Sequence, residues 1–362
     1  MKNSINLAGA FVGIIVGAGF ASGQEVLQFF TYFGIWSIPA VLLATLCFSF
    51  LGMQIAQLGS HMQTISHKKV IYNICGRYLG IIVDFIITFF LFGVTVVMIA
   101  GSGSIFQQQF GISPIIGNIV MTVITIATLL LDVKKIITII SSITPFLLGI
   151  MIIIAVYSFL TTDVSFSEMK NISQPESAAA SNWVMGSLLY VSYNIAAGIA
   201  MLALMGGTLK NKKEAAMGGI LGGIGLGVLL FLINIGMMVK LPNLNGIEMP
   251  TLYLANEISP IFGGVLAIVL LGMVYNTSVG MLYAFTARFV TAETKVFKGA
   301  VIVVGLLAFF SSFVGFIKLV GTVYPVMGYL GFVIIAAVIL SWIRAKHKSH
   351  ETENVNRILD VR

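Results

Sequence analysis

Long apolar stretches, separated by short polar breaks, run along almost the whole chain. A membrane-crossing helix needs about 20 mostly apolar residues, and the breaks leave ten stretches of that kind. The predicted spans cover residues 6–33, 35–59, 78–106, 114–131, 136–160, 183–206, 216–239, 261–288, 298–316 and 319–343. The pattern predicts an all-α membrane protein with ten transmembrane helices.

The positions of the basic residues test this arrangement. An even number of spans puts both termini on the same side of the membrane. With both termini and the even-numbered connections in the cytoplasm, 17 of the 20 Lys and Arg are cytoplasmic, and the three outside are Lys170, Lys240 and Lys318. Cytoplasmic loops normally carry this excess of positive charge. One miscounted span would invert every later loop, so the asymmetry supports ten spans with cytoplasmic termini.

Composition limits the class of protein further. Hydrophobic residues make up 58% of the 362 positions and charged residues only 9%, whereas soluble domains carry about a quarter charged residues. The net charge of +7 is explained by membrane orientation, so we expect the lipid bilayer and no nucleic acid as a partner. No His, Cys or carboxylate cluster in the spans has metal-ligand or nucleophile–base spacing, so we expect no enzyme.

Landmarks recur about 180 positions apart. Gly19 and Gly198 differ by 179 positions, and Pro145 and Pro325 differ by 180. Five spans per half is an odd number, so a duplication must invert the second half. The spacing predicts repeat one over 6–160 and repeat two over 183–343, with coincidence as the alternative.

Two short amphipathic stretches share the same offset. Residues Val70–Tyr78 lie 180 positions before Pro250–Ile258, and both predict short interfacial helices. The chain is therefore divided into a single transmembrane domain, residues 1–343, and a short cytoplasmic tail, residues 344–362.

The first span contains signals that interrupt a helix. Its glycines include Gly17, Gly19 and Gly23, and Ser22 and Glu25 have the spacing of a capping box, which starts a new helix. We expect a break near residues 17–21 and a second half-helix from Ser22, with Glu25 acting as its cap. The alternative is a close-packing face, because the glycines at positions 9, 13 and 17 have GxxxG spacing.

Spans 6 and 8 carry polar residues at mid-membrane depth. Span 6 contains Tyr193 and Asn194, and span 8 contains Asn276, Thr277 and Ser278. Hydroxyl oxygens are ligands that an alkali cation prefers, but Ser and Thr also bond back to their own helix. Asn194 is open to two interpretations, a binding site or a bond to a neighbouring helix.

These features resemble a known fold. The architecture over residues 6–343 and the Gly-Ala-Gly break resemble the LeuT fold of the amino acid, polyamine and organocation transporter superfamily, with broken helices 1 and 6. The opening GAFVGIIVGAGFASGQEVLQFF is similar to that of the YkvI-type membrane proteins, which are regarded as amino acid permeases. The resemblance implies a bacterial plasma-membrane location.

The resemblance also implies two sets of site residues. The solute would lie at the first break, its carboxylate facing the amides near Ala18 and Gly19. The remaining solute-binding positions would be Phe20, Ser22, Tyr193, Asn194 and Ala197. A sodium site would use the carbonyls of Gly13, Val16 and Val274 and the hydroxyls of Thr277 and Ser278.

Departures from the superfamily pattern bear on the identity of the coupling ion. Phe20 follows the Gly-Ala-Gly break where some relatives have an Asn ligand for a second sodium, and Lys134 and Lys135 stop at the end of span 5 where proton-coupled relatives have an internal lysine. The resemblance therefore favours a single sodium over a proton. We expect no cofactor apart from Na⁺ as coupling ion.

The sequence thus predicts a secondary active transporter that moves a small amino acid or similar zwitterion with sodium by alternating access. Two alternatives remain: a non-transporting membrane sensor or interaction protein with the same fold, and a proton-coupled or exchange transporter of another solute. A small-molecule solute is the expected partner, and the sequence indicates no particular oligomeric state.

Overall fold

The structure is a computed structural model that describes residues 2–63, 67–130, 143–161, 173–291 and 294–359. Its helices are α1 Lys2–Ile15, α2 Ala18–Ser22, α3 Gln24–Phe29, α4 Ser37–Met62, α5 His67–Phe110, α6 Pro114–Leu130, α7 Ile143–Leu160, α8 Trp183–Gly207, α9 Lys212–Met238, α10 Pro250–Ile258, α11 Pro260–Phe289, α12 Lys295–Ser312 and α13 Phe316–Leu359. Short 3₁₀ turns lie at Thr31–Trp36, Pro175–Ser177 and Leu241–Asn243. No strand occurs in these described ranges, so the all-α prediction is confirmed.

Described helices overlap each of the ten predicted spans. Six helical segments are long and apolar enough to cross a membrane unaided: Thr31–Met62, Gly80–Phe110, Lys212–Met238, Pro260–Phe289, Lys295–Ser312 and Phe316–Leu340. The two parts of α8 form a seventh span if they are counted together. The first span is broken into α1, α2 and α3, and α6 has 17 residues. A membrane protein is thereby established, while the count of ten stays a prediction.

 The two stretches that predict short interfacial helices have different forms. The first, Val70–Tyr78, lies in α5 and spans its kink at Gly76, where φ is +70°. Residues 67–75 form the opening segment of α5 before that kink. The stretch Pro250–Ile258 is the separate helix α10, with the bounds that the sequence predicts. The last helix, α13, continues past its membrane span through residue 359, so the described part of the predicted tail is helical.

The helices form two packed groups. Helices α1, α4, α8 and α9 contact one another, and α5 contacts α6, α11 and α13. The α8 helix also contacts α13, which joins the groups. The buried core runs between them, and the candidate site lies at this junction.

Glycines allow α4 to approach its neighbours closely. A methyl group added to Gly219 of α9 would overlap the backbone of Gly52, and one added to Gly223 would overlap the backbone of Ser49. On the other side of α4, Gly59 lies against the backbone of Ala203 in α8. Small residues of this kind let membrane helices pack backbone to backbone.

We expect Gly219→Ala to destabilise the protein by about 1–3 kcal/mol, because the added methyl group pushes two backbones apart. The matched control is Gly299→Ala on α12, where an added methyl group meets nothing within 4 Å. That control should be neutral or stabilising by up to about 1 kcal/mol, because alanine favours helix. Apparent melting temperatures in detergent measure both effects. Equal melting temperatures for the two variants would contradict close packing of α4 and α9.

Candidate functional site

The first span breaks between α1 and α2. The α1 helix ends at Ile15, Gly17 is extended with φ −96° and ψ −172°, and α2 begins at Ala18. The Gly17 amide donates to the Ile15 carbonyl at 2.8 Å, outside the regular helical pattern. The break therefore lies at Val16–Gly17, slightly before the predicted residues 17–21. Non-helical backbone at membrane depth has to be buried in protein or line a cavity.

A second interruption follows at Gly23, and it shows that the predicted capping box is wrong. Gly23 has φ +81° and separates α2 from α3, and the Glu25 carboxylate bonds Tyr193. The Ser22 hydroxyl donates to the Gly19 carbonyl at 2.7 Å and accepts from the Gln24 amide at 3.2 Å. Ser22 is thus the last residue of α2, and the second half-helix does not start there.

Glu25 is therefore free for a role other than capping. It lies in α3 and is only 5% exposed, and its Oε2 accepts a short hydrogen bond from the Tyr193 hydroxyl. Its Oε1 lies directly beside Gly19, where a methyl group would overlap it. The missing side chain of Gly19 makes room for the carboxylate, so the glycine and the glutamate form one local arrangement.

Aromatic rings fix the position of Tyr193. Its ring stacks on Tyr324 of α13 with centroids 4.9 Å apart and an angle of 22° between the planes. Tyr190 contacts it edge-on at 5.5 Å, and Phe29 contacts it at 5.7 Å. The Tyr193 hydroxyl is consequently held where it meets Glu25.

A cavity of about 310 Å³ lies at the first break, between the two packed groups of helices. A volume of this size is at the small end of the range for small-molecule sites. Its polar lining comes from Glu25, Tyr193, Asn194, Asn276, Thr277 and Tyr324. The apolar lining includes Phe90, Met98, Met273 and Met281.

The cavity brings together most of the predicted solute-binding residues. Ala18, Gly19, Tyr193, Asn194 and Ala197 line it. Two predicted residues, Phe20 and Ser22, do not belong to its lining and are buried.

Three of the five predicted sodium-binding residues line the cavity. Gly13, Val16 and Thr277 line it, and Val274 and Ser278 are buried on the same helix as Thr277. The Ser278 hydroxyl is fully buried and has no hydrogen-bond partner within the described ranges. It therefore does not bond back to its own helix, which was the alternative for this residue.

Span 6 is bent rather than unwound. The α8 helix changes direction by 54° between Trp183–Ile199 and Met201–Gly207. Gly198 lies next to the bend, and a methyl group there would come within 3.1 Å of Ile14. The Asn194 amide donates to the Tyr190 carbonyl at 2.9 Å, within its own helix.

One end of the cavity is covered and the other is accessible. Three of the residues that line the cavity are exposed: Gly13 of α1, Ala197 of α8 and Gly280 of α11. The helices α2 and α3, by contrast, are buried. On that buried side, the Thr251 hydroxyl of α10 donates to the Ala21 carbonyl at 2.6 Å. The helix α10 thus covers the first span on the side opposite α1.

An ion pair joins α5 to α11 outside the cavity. Arg288 Nη1 lies 2.7 Å from Asp84 Oδ1 and also donates to the Thr88 hydroxyl at 2.9 Å. This pair connects two helices that are distant in the sequence.

The chain is similar to two proteins of Bacillus subtilis. No family model matches the chain. Protein YyaD of Bacillus subtilis (strain 168) is 30% identical over 339 residues, which are 93% of this chain and 96% of YyaD. The chain belongs to the family of YyaD. Membrane protein YkvI of the same organism also belongs to this similarity group, at 25% identity over 336 residues, 92% of this chain and 94% of YkvI.

Solved structures of transport proteins share the fold of this YyaD relative. MhsT in complex with L-phenylalanine has a TM-score of 0.58 at 16% identity, covering 93% of this chain and 91% of MhsT. A mutant of the Eremococcus coleocola manganese transporter has a TM-score of 0.55 at 13% identity, covering 94% and 78%. A Na⁺-coupled sialic acid symporter has a TM-score of 0.51 at 13% identity, covering 93% and 86%. The predicted LeuT fold is confirmed.

Sequence reasoning missed Glu25 and Tyr324 as site residues. A carboxylate inside an apolar span is costly and usually functional, which was the available signal for Glu25. The capping-box spacing explained the same residue more simply and was wrong. Tyr324 has no comparable signal, because it reaches the site only through the packing of α13 on α8.

We expect Tyr193→Phe to destabilise the protein by about 1–3 kcal/mol, because it removes the donor that satisfies a buried carboxylate oxygen. The matched control is Tyr190→Phe on the same helix, whose buried hydroxyl has no hydrogen-bond partner in the described part of the chain. Losing that hydroxyl should leave the apparent melting temperature unchanged or raise it. If both variants have the same apparent melting temperature, the hydrogen bond between Tyr193 and Glu25 contributes nothing to stability.

Proposed function

We propose that the protein is a secondary active transporter that carries a small amino acid or similar zwitterion together with Na⁺ across a bacterial plasma membrane, with both termini in the cytoplasm. The observation that carries this proposal is the cavity at the break of the first span, closed by α10 on one side and accessible on the other. Alternating access requires a central site of this kind. The LeuT fold shared with named transport proteins supports it.

The cavity suits a small solute with both polar and apolar parts. Glu25, Asn194 and Asn276 offer polar contacts, while Phe90 and Met98 offer apolar ones. The first amides of α2, which follows the Val16–Gly17 break, have no acceptor within their own helix and add further hydrogen-bonding groups. An amino acid of modest size meets these surfaces with its charged end and its side chain respectively.

Sodium coupling is supported by the oxygen groups beside the cavity. Thr277 lines it, the Ser278 hydroxyl is buried without a partner, and the carbonyls of Gly13 and Val16 precede the break. Hard oxygen ligands of this type suit an alkali cation. A buried hydroxyl without a partner is costly, and a bound ion would satisfy it.

Transport is tested with the purified protein in liposomes. With an inward Na⁺ gradient, we expect uptake of at least one labelled amino acid above that of protein-free liposomes, and replacement of Na⁺ by K⁺ should abolish it. Uptake equal to that of protein-free liposomes across the twenty standard amino acids would contradict the proposed substrate class. Uptake that persists in K⁺ would contradict sodium coupling.

We expect the double variant Thr277→Ala and Ser278→Ala to lose the sodium dependence of uptake, because two ligand oxygens are removed. The matched control is Thr286→Ala, two turns further along the same helix, whose hydroxyl bonds to the Leu282 carbonyl at 2.8 Å. The control should keep the wild-type sodium response. An unchanged sodium response in the double variant would rule out these two hydroxyls as ligands.

A further inference from the structure

The cavity lining contains one acidic side chain and no basic side chain among the described residues. Glu25 is the one carboxylate among the described residues that line it, and none of those residues is Lys, Arg or His. Two charged pairs in the described chain, Asp84 with Arg288 and Lys240 with Glu257, are already matched within themselves. A buried carboxylate without a positive partner is costly, so the cavity is electrically complementary to a cation that arrives from outside.

The position of Glu25 also limits how a solute is oriented. Its Oε1 lies beside Gly19, at the place where the sequence predicted the carboxylate of a zwitterionic solute. Two carboxylates in one poorly solvated site repel each other. We therefore expect the positive end of the solute to approach Gly19, which is the reverse of the orientation that the resemblance implies.

The rings beside Glu25 favour an organic cation. Tyr193 and Tyr324 line the cavity together with Glu25, and electron-rich aromatic rings of this kind attract ammonium groups. The Tyr193 hydroxyl donates to Oε2, which fixes the carboxylate in place. Apolar side chains such as Met98 and Met281 cover the remaining wall and suit the hydrocarbon part of an amine.

We propose that Glu25, with the rings of Tyr193 and Tyr324, binds the protonated amino group of the solute, so that an ammonium group is required for binding and a solute carboxylate is not. This inference rests on the proposed function only in taking the cavity as the solute site. It names the substrate class as amines, including amino acids bound through their amino end.

The test uses amine and acid probes that share one hydrocarbon skeleton. The pairs are ethylamine with propionate, isoamylamine with 4-methylpentanoate, and phenethylamine with 3-phenylpropionate. Apparent Kd values come from the rise in melting temperature of the purified full chain with probe concentration. We expect at least one amine to stabilise the wild-type protein, and its matched acid to have no effect. Silence of all three amines, or stabilisation by the acids instead, would overturn the proposal.

The decisive variant is Glu25→Gln, which removes the charge and keeps an oxygen acceptor for Tyr193. We expect the apparent Kd of the stabilising amine to rise about tenfold or more, the loss expected for a charged hydrogen bond. Glu176→Gln is the matched control, because Glu176 is exposed outside the cavity, and its amine affinity should equal that of the wild type. Equal amine affinity in Glu25→Gln and the wild type would overturn the proposal.

Two further measurements distinguish amine binding at Glu25 from sodium binding there. The ligand-free melting temperature of Glu25→Gln should be equal to or above that of the wild type, because an uncompensated charge is removed. If NaCl alone stabilises the wild type and Glu25→Gln abolishes that effect while amines have none, the carboxylate binds sodium and the amine assignment is wrong. Amine binding needs no gradient, so a failure of uptake contradicts only the proposal of transport. Sodium-driven uptake that is unaffected in Glu25→Gln contradicts only the proposal of an amine site at Glu25.

Discussion

The whole site depends on one constraint, which is that peptide groups released from a helix within a membrane cannot be left facing lipid. At Val16 and Gly17 the first span leaves its helical path, and an unsatisfied peptide group in hydrocarbon costs several kcal/mol. The protein meets this constraint by enclosing the break between two groups of helices. The same enclosure forms the cavity, so the binding site and the structural solution to the break are one feature.

Much of the fold follows from patterns that are readable in the sequence. Apolar length predicts the spans, and an amphipathic stretch at the offset of the repeat predicts α10 with its observed bounds. These signals are strong because each reports burial over many residues. The bend of α8 at residue 200 was predicted only through its match to the first break, since a change of direction by packing leaves little trace in the local sequence.

The site was predicted less completely, for a physical reason that Ser22 and Glu25 illustrate. Their spacing fits a capping box, but the positive φ of Gly23 ends one short helix before the next begins. A local motif does not register a backbone turn that tertiary packing imposes. Tyr193 was predicted from its depth in span 6, whereas its carboxylate partner became visible only when α3 and α8 were placed together.

The glycines between α4 and α9 have a mechanical consequence. Surfaces that meet through side chains can slide, because rotamers rearrange, but backbones in direct contact at Gly52 and Gly219 have nothing between them to rearrange. Helices α4 and α9 should therefore move together as one rigid body. A relative movement of the two packed groups of helices would then leave the contact between α4 and α9 unchanged.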